Sequence, residues 1–131
     1  MSVQNKQIIV PFQAAGDLST KQFYFVKLSA AHTVDVCSGV TDKPIGVLQN
    51  KPSAAGQEAE VCISGWTKVQ AGGTVTVGTH FNIGTDGNGK AVAYAPGTDT
   101  TKFLVGQPVT SGASGSLMEA IINCASAGRG A

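Results

Sequence analysis

Charge is scarce in this chain. Asp, Glu, Lys and Arg make up only 13% of its 131 residues, about half the usual share. Nine cations against eight anions leave a formal charge of +1. A nucleic-acid-binding domain needs clustered Lys and Arg to displace counterions from phosphates, and here the cations are scattered singly, which argues against direct DNA binding. Histidine is scarcer still: His32 and His80 are the only two, with no H-E-x-x-H spacing. The three cysteines, Cys37, Cys62 and Cys124, are odd in number and form no C-x-x-C pair. Neither a zinc site nor a disulfide framework is indicated, and they read as reduced, buried thiols. No cofactor is expected. Long hydrophobic runs are missing too. The first residues, MSVQNKQIIVPFQ, hold one lysine and an apolar run of only Ile8, Ile9 and Val10, too short for a secretory signal or a membrane span. The expectation is a chain made in the cytoplasm and with no membrane partner.

What is present is punctuation. Seventeen glycines and five prolines, without a fixed period, cut a 42% hydrophobic chain into short segments, which suits one all-β domain and argues against a helical bundle. Residues 57–94 organise the rest. Ala59, Val61, Ile63, Gly65, Thr67 and Val69 fall on one side of an extended chain, and Glu58, Glu60, Cys62, Ser64, Trp66, Lys68 and Gln70 on the other, the mark of a half-buried strand. Gly72-Gly73 allows a turn, residues 74–77 are rich in β-branched side chains, and Asp86-Gly87-Asn88-Gly89 supplies a hairpin turn into residues 90–94. Further strands are expected at 6–12, 22–28, 33–37, 45–49 and 102–109. Pro11 places the first at a sheet edge or strand end, and the second is apolar on both faces. Residues 116–124 fit a strand (Met118, Ala120, Ile122, Cys124) or a helical face (Leu117, Ala120, Ile121, Cys124), and the all-β context favours the strand. The expected architecture is a compact antiparallel β-sandwich or barrel of about eight short strands with a long central hairpin. It comprises an extended N-terminal arm (residues 1–7), a β domain (8–124) and a C-terminal tail (125–131).

Catalytic signatures are weak throughout. Ser114 lies in Gly112-Ala113-Ser114-Gly115, without the glycine spacing of a nucleophile elbow. Asp86-Gly87-Asn88-Gly89-Lys90 lacks the closing glutamate and flanking helices of a calcium loop. Glu58 and Glu60 share a strand face about 7 Å apart, a spacing open to acid–base work but better read as a solvated face. Trp66 shares that face, and a lone large aromatic among polar residues either folds under a loop or anchors a partner.

Order and spacing carry more than any single motif. Pro44-Ile45-Gly46-Val47-Leu48-Gln49-Asn50, then a small polar connection, then Val61-Cys62-Ile63-Ser64-Gly65, then Gly84-Thr85-Asp86-Gly87-Asn88-Gly89 resembles the small tailed-phage family of capsid cement or head decoration proteins. The likeness spans roughly residues 23–123. It implies a non-enzymatic subunit, a homotrimer, that docks on the major capsid protein at the outer surface of the mature head and stabilises the coat lattice. A carbohydrate- or receptor-binding β module of a virion is the alternative, and a small hydrolase a weaker one. The expected interface comprises Met1, Ser2, Val3, Gln4, Asn5, Lys6 and Gln7 of the arm, together with Trp66. A seven-residue extended segment spans at most about 25 Å, enough to cross a subunit boundary.

Overall fold

β-branched and apolar triplets between glycine corners become short strands, and one long strand joins them. The computed structural model describes residues 7–77, 83–95 and 102–124. Among these are β1 (Gln7–Ala14), β2 (Phe25–Ala30), β3 (Thr33–Val36), β4 (Gly46–Leu48), β5 (Glu58–Gln70), β6 (Ile83–Thr85), β7 (Ala91–Ala93), β8 (Gly106–Pro108) and β9 (Leu117–Asn123). All nine belong to one mixed sheet of order β1-β3-β2-β4-β5-β9-β8-β6-β7, in which β1 also pairs with β5. The all-β reading therefore holds, and the ambiguous segment 116–124 contains a strand.

The extra β1–β5 pairing closes a ring, because β1, β3, β2, β4 and β5 are each hydrogen-bonded to the next and β5 returns to β1. Ala14, Val26, Val34, Leu48, Ala59 and Val61 form one core cluster. On the other face of the same strands, Phe25, Val47 and Cys62 join Val69, Ile83, Val105, Met118, Ala120 and Ile122 in a second. The neighbouring pairs Phe25/Val26, Val47/Leu48 and Val61/Cys62 are all fully buried, so β2, β4 and β5 are covered on both faces at these pairs, while Leu28 to Ala30, Glu58 and Glu60 are exposed. The second half of the sheet nearly closes as well: a bridge between Ala71 and Ala91 brings β7 back to the end of β5.

Two cores require β5 to change phase. Ala59 and Val61 face the first cluster, whereas Val69 and Ala71 face the second together with Cys62. A strand with strict period two cannot do both. The switch lies where Ile8 pairs with Ser64 but Ile9 pairs with Cys62, leaving Ile63 unmatched in a bulge. Gly65, at φ 116°, follows directly, in backbone space that glycine enters without a Cβ penalty. The single continuous alternation expected from 59 to 69 is corrected here, and Cys62 moves from the solvated side to the core.

Three further differences have local causes. The long element is a strand and not a hairpin: β5 is 13 residues and pairs with β1, β4 and β9, while the hairpin at residues 83–93 joins strands of only three residues. Asp86 builds its turn by accepting the N–H groups of Asn88 and Lys90 at 2.8 and 2.9 Å. β1 and β3 run parallel, so the sheet is not wholly antiparallel. Phe23 and Tyr24 precede β2, because Phe23 takes φ 69° and spans to two other elements, donating to the Leu48 carbonyl and accepting from the Gln70 N–H. Pro11 sits opposite Glu60, with β3 alongside β1 only at Gln13 and Ala14. Among the described residues no strand pairs with that side of Pro11, so its missing N–H leaves no ladder bond unmade there, in line with the edge or strand-end position expected of it.

Gly46 marks a close approach of two strands. A Cβ there would collide with the Cys62 carbonyl oxygen and the Val61 side chain, both in the fully buried centre of β5. Gly46→Ala is expected to cost about 1–3 kcal/mol by urea denaturation. Gly16→Ala, whose Cβ would meet nothing within 4 Å, should stay within about 0.5 kcal/mol of the wild type.

Candidate functional site

The inward set of β9 is Met118, Ala120 and Ile122, all buried, which turns Leu117, Glu119, Ile121 and Asn123 outward. β5 presents the matching row. Trp66 lies directly opposite Ile121, Lys68 opposite Glu119 and Gln70 opposite Leu117, while Ser64 carries the face across to Ile8 of β1. Leu117, Ile121 and Ile8 are 50%, 47% and 57% exposed. One outer face thus holds four apolar side chains flanking the cross-strand pair Lys68 and Glu119, and exposed apolar side chains gathered on one face mark a candidate interaction site.

Trp66 is half-buried on that face. Its Nε1–H is buried and has no hydrogen-bond partner among the described residues, while its carbonyl accepts the Gln7 side-chain amide at 2.8 Å. Of the expected interface residues, the structure therefore brings Gln7 and Trp66 together. Gln7 is the first described residue of β1 and not a free arm residue; residues 1–6 lie outside the described residues, as do the tail at 125–131, His80 and the loop at 96–101. Leu117, Ile121 and Ile8 were missed as surface candidates. The signal for Leu117 and Ile121 is present in residues 116–124, where a strand reading leaves two large apolar side chains on the outward face.

The candidate chemical groups are spread apart. Glu58 and Glu60 are exposed, opposite Gln13 and Pro11 of β1 and not opposite lysines. The Asn50 amide brackets them by donating to the Glu58 carbonyl and accepting the Glu60 N–H, extending the β4 edge by a side chain. His32 is an exposed turn residue at φ 58° and lines a shallow hollow of about 370 Å³ with Pro11, Phe12, Gln13, Gly56 and Glu58. Among the described residues no three His, Cys, Asp or Glu side chains are grouped as a metal site. A sugar platform would need free aromatic faces beside Trp66, but Tyr94 is 9% exposed, and the ammonium groups of Lys21 and Lys90 lie 4.9 and 5.8 Å from the Tyr24 ring centroid.

All three thiols are free and buried, and all three belong to the same core cluster, a convergence their sequence spacing does not suggest. Burial pushes Cys37 and Cys124 up to about 12, because a thiolate in apolar surroundings loses its hydration. In the native protein a maleimide or disulfide reagent at pH 8 should modify these thiols only as fast as the fold opens; rapid labelling of all three without denaturant would contradict that assignment.

The one ion pair among the described residues staples a loop. Lys27 Nζ lies 2.8 Å from Asp42 Oδ2, and the same carboxylate accepts the Ser38 and Gly39 N–H groups at 2.9 and 3.0 Å. The Lys27 hydrogen bond, then the Ser38 amide, hold the Asp42 carboxyl down at about 2, and Asp42 in turn raises Lys27. A depressed carboxyl contributes stability above its unfolded pKa near 4 and loses it as pH falls toward 2; the raised ammonium keeps its share until pH exceeds its folded value. With both side chains about a quarter exposed, the pair is worth about 0.2–1 kcal/mol. Asp42→Asn should lower the urea midpoint slightly at pH 7, and the gap to wild type should shrink between pH 4 and 2.

No family model and no curated protein matches the chain. The architecture is that of a small mixed β-sheet with one closed ring and two cores. It is similar to the solved structure of the head fiber gp8.5 N base of bacteriophage phi29, at TM-score 0.62 and 17% identity, over 91% of this chain and 96% of that one. At that identity the likeness is one of fold.

Proposed function

We propose that this chain is a non-enzymatic structural subunit of a phage head, a decoration protein that attaches to the major capsid protein on the outer surface of the mature particle. The observation that carries the reading is the fold shared with a phage head fiber base along nearly the whole of both chains. The order of the P-I-G-V, V-C-I-S-G and D-G-N-G segments supports it independently. A low-charge surface suits a subunit that works inside an assembly, since lysine and glutamate are depleted where proteins meet. In this reading the subunit acts as a homotrimer. Its contact surface is the outer face of β5 and β9, with Ile8, Trp66, Leu117 and Ile121 as apolar anchors, and the residues before Gln7 contribute to binding. By burying surface available only on the mature lattice, each bound copy stabilises that lattice by mass action.

The test is cosedimentation of the purified chain with mature heads of its phage, followed by electron microscopy of the bound particles. Wild type should saturate and appear as ordered protrusions at fixed lattice positions. Ile121→Asp with Leu117→Asp, at half-exposed positions, should change thermal stability little yet lower occupancy at least tenfold, the loss of about 1.4 kcal/mol or more expected for buried anchors. Glu58→Gln with Glu60→Gln should bind as wild type. Absence of wild-type binding to any head would overturn the reading.

A further inference from the structure

The turn between β6 and β7, Asp86-Gly87-Asn88-Gly89, divides its hydrogen bonds unevenly. One Asp86 carboxylate oxygen accepts the Asn88 and Lys90 N–H groups, and the Asp86 N–H donates to the Lys90 carbonyl at 2.8 Å. The Gly89 carbonyl accepts the Phe25 N–H at 2.8 Å. Between these anchors the Gly89 N–H makes no hydrogen bond among the described residues, and neither does the side chain of the exposed Asn88. The contrast within the chain is Asn50, whose side-chain amide donates to the Glu58 carbonyl and accepts the Glu60 N–H and is thereby fixed at both ends. The left-handed position of the turn is taken by Gly89, at φ 79°, and not by Asn88.

A free asparagine amide next to a free glycine N–H is a reactive pair. The side-chain carbon of the one and the main-chain nitrogen of the other lie at the two ends of a five-membered ring, and glycine brings no side chain to obstruct its closure. Where the nitrogen is tied into a ladder or the amide is held by partners, as at Asn50, the ring cannot form without breaking those bonds.

We propose that Asn88 is a modification site, at which the folded protein loses ammonia without an enzyme and becomes a mixture of aspartyl and isoaspartyl forms, the second of which releases the hairpin from β2. The Gly89 amide gives its proton to hydroxide, and its nitrogen attacks Asn88 Cγ. A C–N bond forms to Cγ, the bond from Cγ to the side-chain nitrogen breaks, and that nitrogen departs as ammonia after taking a proton from water. Water then opens the cyclic imide. Cleavage between the ring nitrogen and Cγ leaves an aspartyl residue on the original backbone. Cleavage between the ring nitrogen and the main-chain carbonyl carbon reroutes the backbone through Cγ and lengthens it by a methylene. Nothing is oxidised or reduced, and water and hydroxide are the only co-reactants.

The surroundings of Gly89 decide the consequence. A Cβ there would stand 2.9 Å from both the Phe25 carbonyl oxygen and Val36 Cγ2, and 3.3 Å from the Cys37 carbonyl oxygen, so Gly89 is packed against the end of the β2–β3 ladder. A main chain lengthened between the Asn88 N–H, held by Asp86, and the Gly89 carbonyl, held by Phe25, cannot keep both bonds. The bond to Phe25 is the one that yields, because the Asp86 contacts lie within the turn and move with it, whereas Phe25 is fully buried in the second core. The aspartyl form keeps the backbone length and adds only a carboxylate. This inference stands apart from the capsid reading and is tested on the isolated protein.

The full-length chain is incubated at pH 8, folded or in concentrated urea, and conversion at Asn88 is followed by peptide mass spectrometry, with electron-transfer fragmentation separating the isoaspartyl from the aspartyl product. The folded protein should convert Asn88 within about tenfold of the unfolded rate, since no opening has to precede the reaction. The rate should rise with pH, and Asn88→Gln should remove the signal, because glutamine closes only a less favourable six-membered ring. The isoaspartyl form, isolated by ion exchange, should exchange the Phe25 amide about tenfold faster or more than the unmodified protein, while Val61 in the other core stays protected. Asn88→Asp, with its normal backbone length, should exchange Phe25 as wild type does. Protection of Asn88 by more than about tenfold in the folded protein, or an isoaspartyl form whose Phe25 amide exchanges at the wild-type rate, overturns the proposal.

Discussion

Everything in this structure depends on β5 serving two cores at once. Its first half forms one wall of a closed ring and its second half carries β9, and the inward direction reverses between them at the Ile63 bulge. An extra residue in one strand of an antiparallel pair bends the strand and increases its twist, which lets a single strand leave one curved layer and enter another. Gly65 supplies the backbone freedom just past the bulge. Without that phase change, Val69 and Ala71 would face away from the second core and the residues opposite Met118 and Ile122 would be polar. Each core is small, so losing one buried aliphatic side chain, at about 2–5 kcal/mol, outweighs the surface ion pair at Lys27 several times over.

The same device creates the surface. After the bulge, Trp66, Lys68 and Gln70 point away from the second core and beyond the rim of the ring, where the first core no longer covers them. β9 then lines up Ile121, Glu119 and Leu117 against them. An apolar outer face is thus a geometric by-product of routing one strand past the end of a ring. With so few charges to place elsewhere, this face is where the chain differs from an inert scaffold.

Much of this was legible in the residues. Glycine punctuation and β-branched triplets announce an all-β chain, Asp86-Gly87-Asn88-Gly89 reads as a hairpin turn, Pro11 points to an edge or a strand end, and the unpaired cysteines read as free, buried thiols. Trp66 was singled out as either a folded-under or an anchoring aromatic, and it is half-buried on the outer face. What could not be read was pairing. Alternation says which residues share a side of a strand, but the identity of the neighbouring strand depends on contacts far apart in the chain, such as Gln7 with Gly65 or Phe23 with Gln70.

By itself, then, the sequence determined the class of structure, the positions of its corners and the residues available for a core, because those follow from backbone preference and local periodicity. Tertiary structure decided the rest: that β5 is a long bulged strand and not half of a hairpin, that β1 runs parallel to β3, that Cys62 turns inward, and that Leu117 and Ile121 share a face with Trp66. Each is a choice of partner and register, set by how two apolar clusters can be filled together, and no single stretch of chain contains that information.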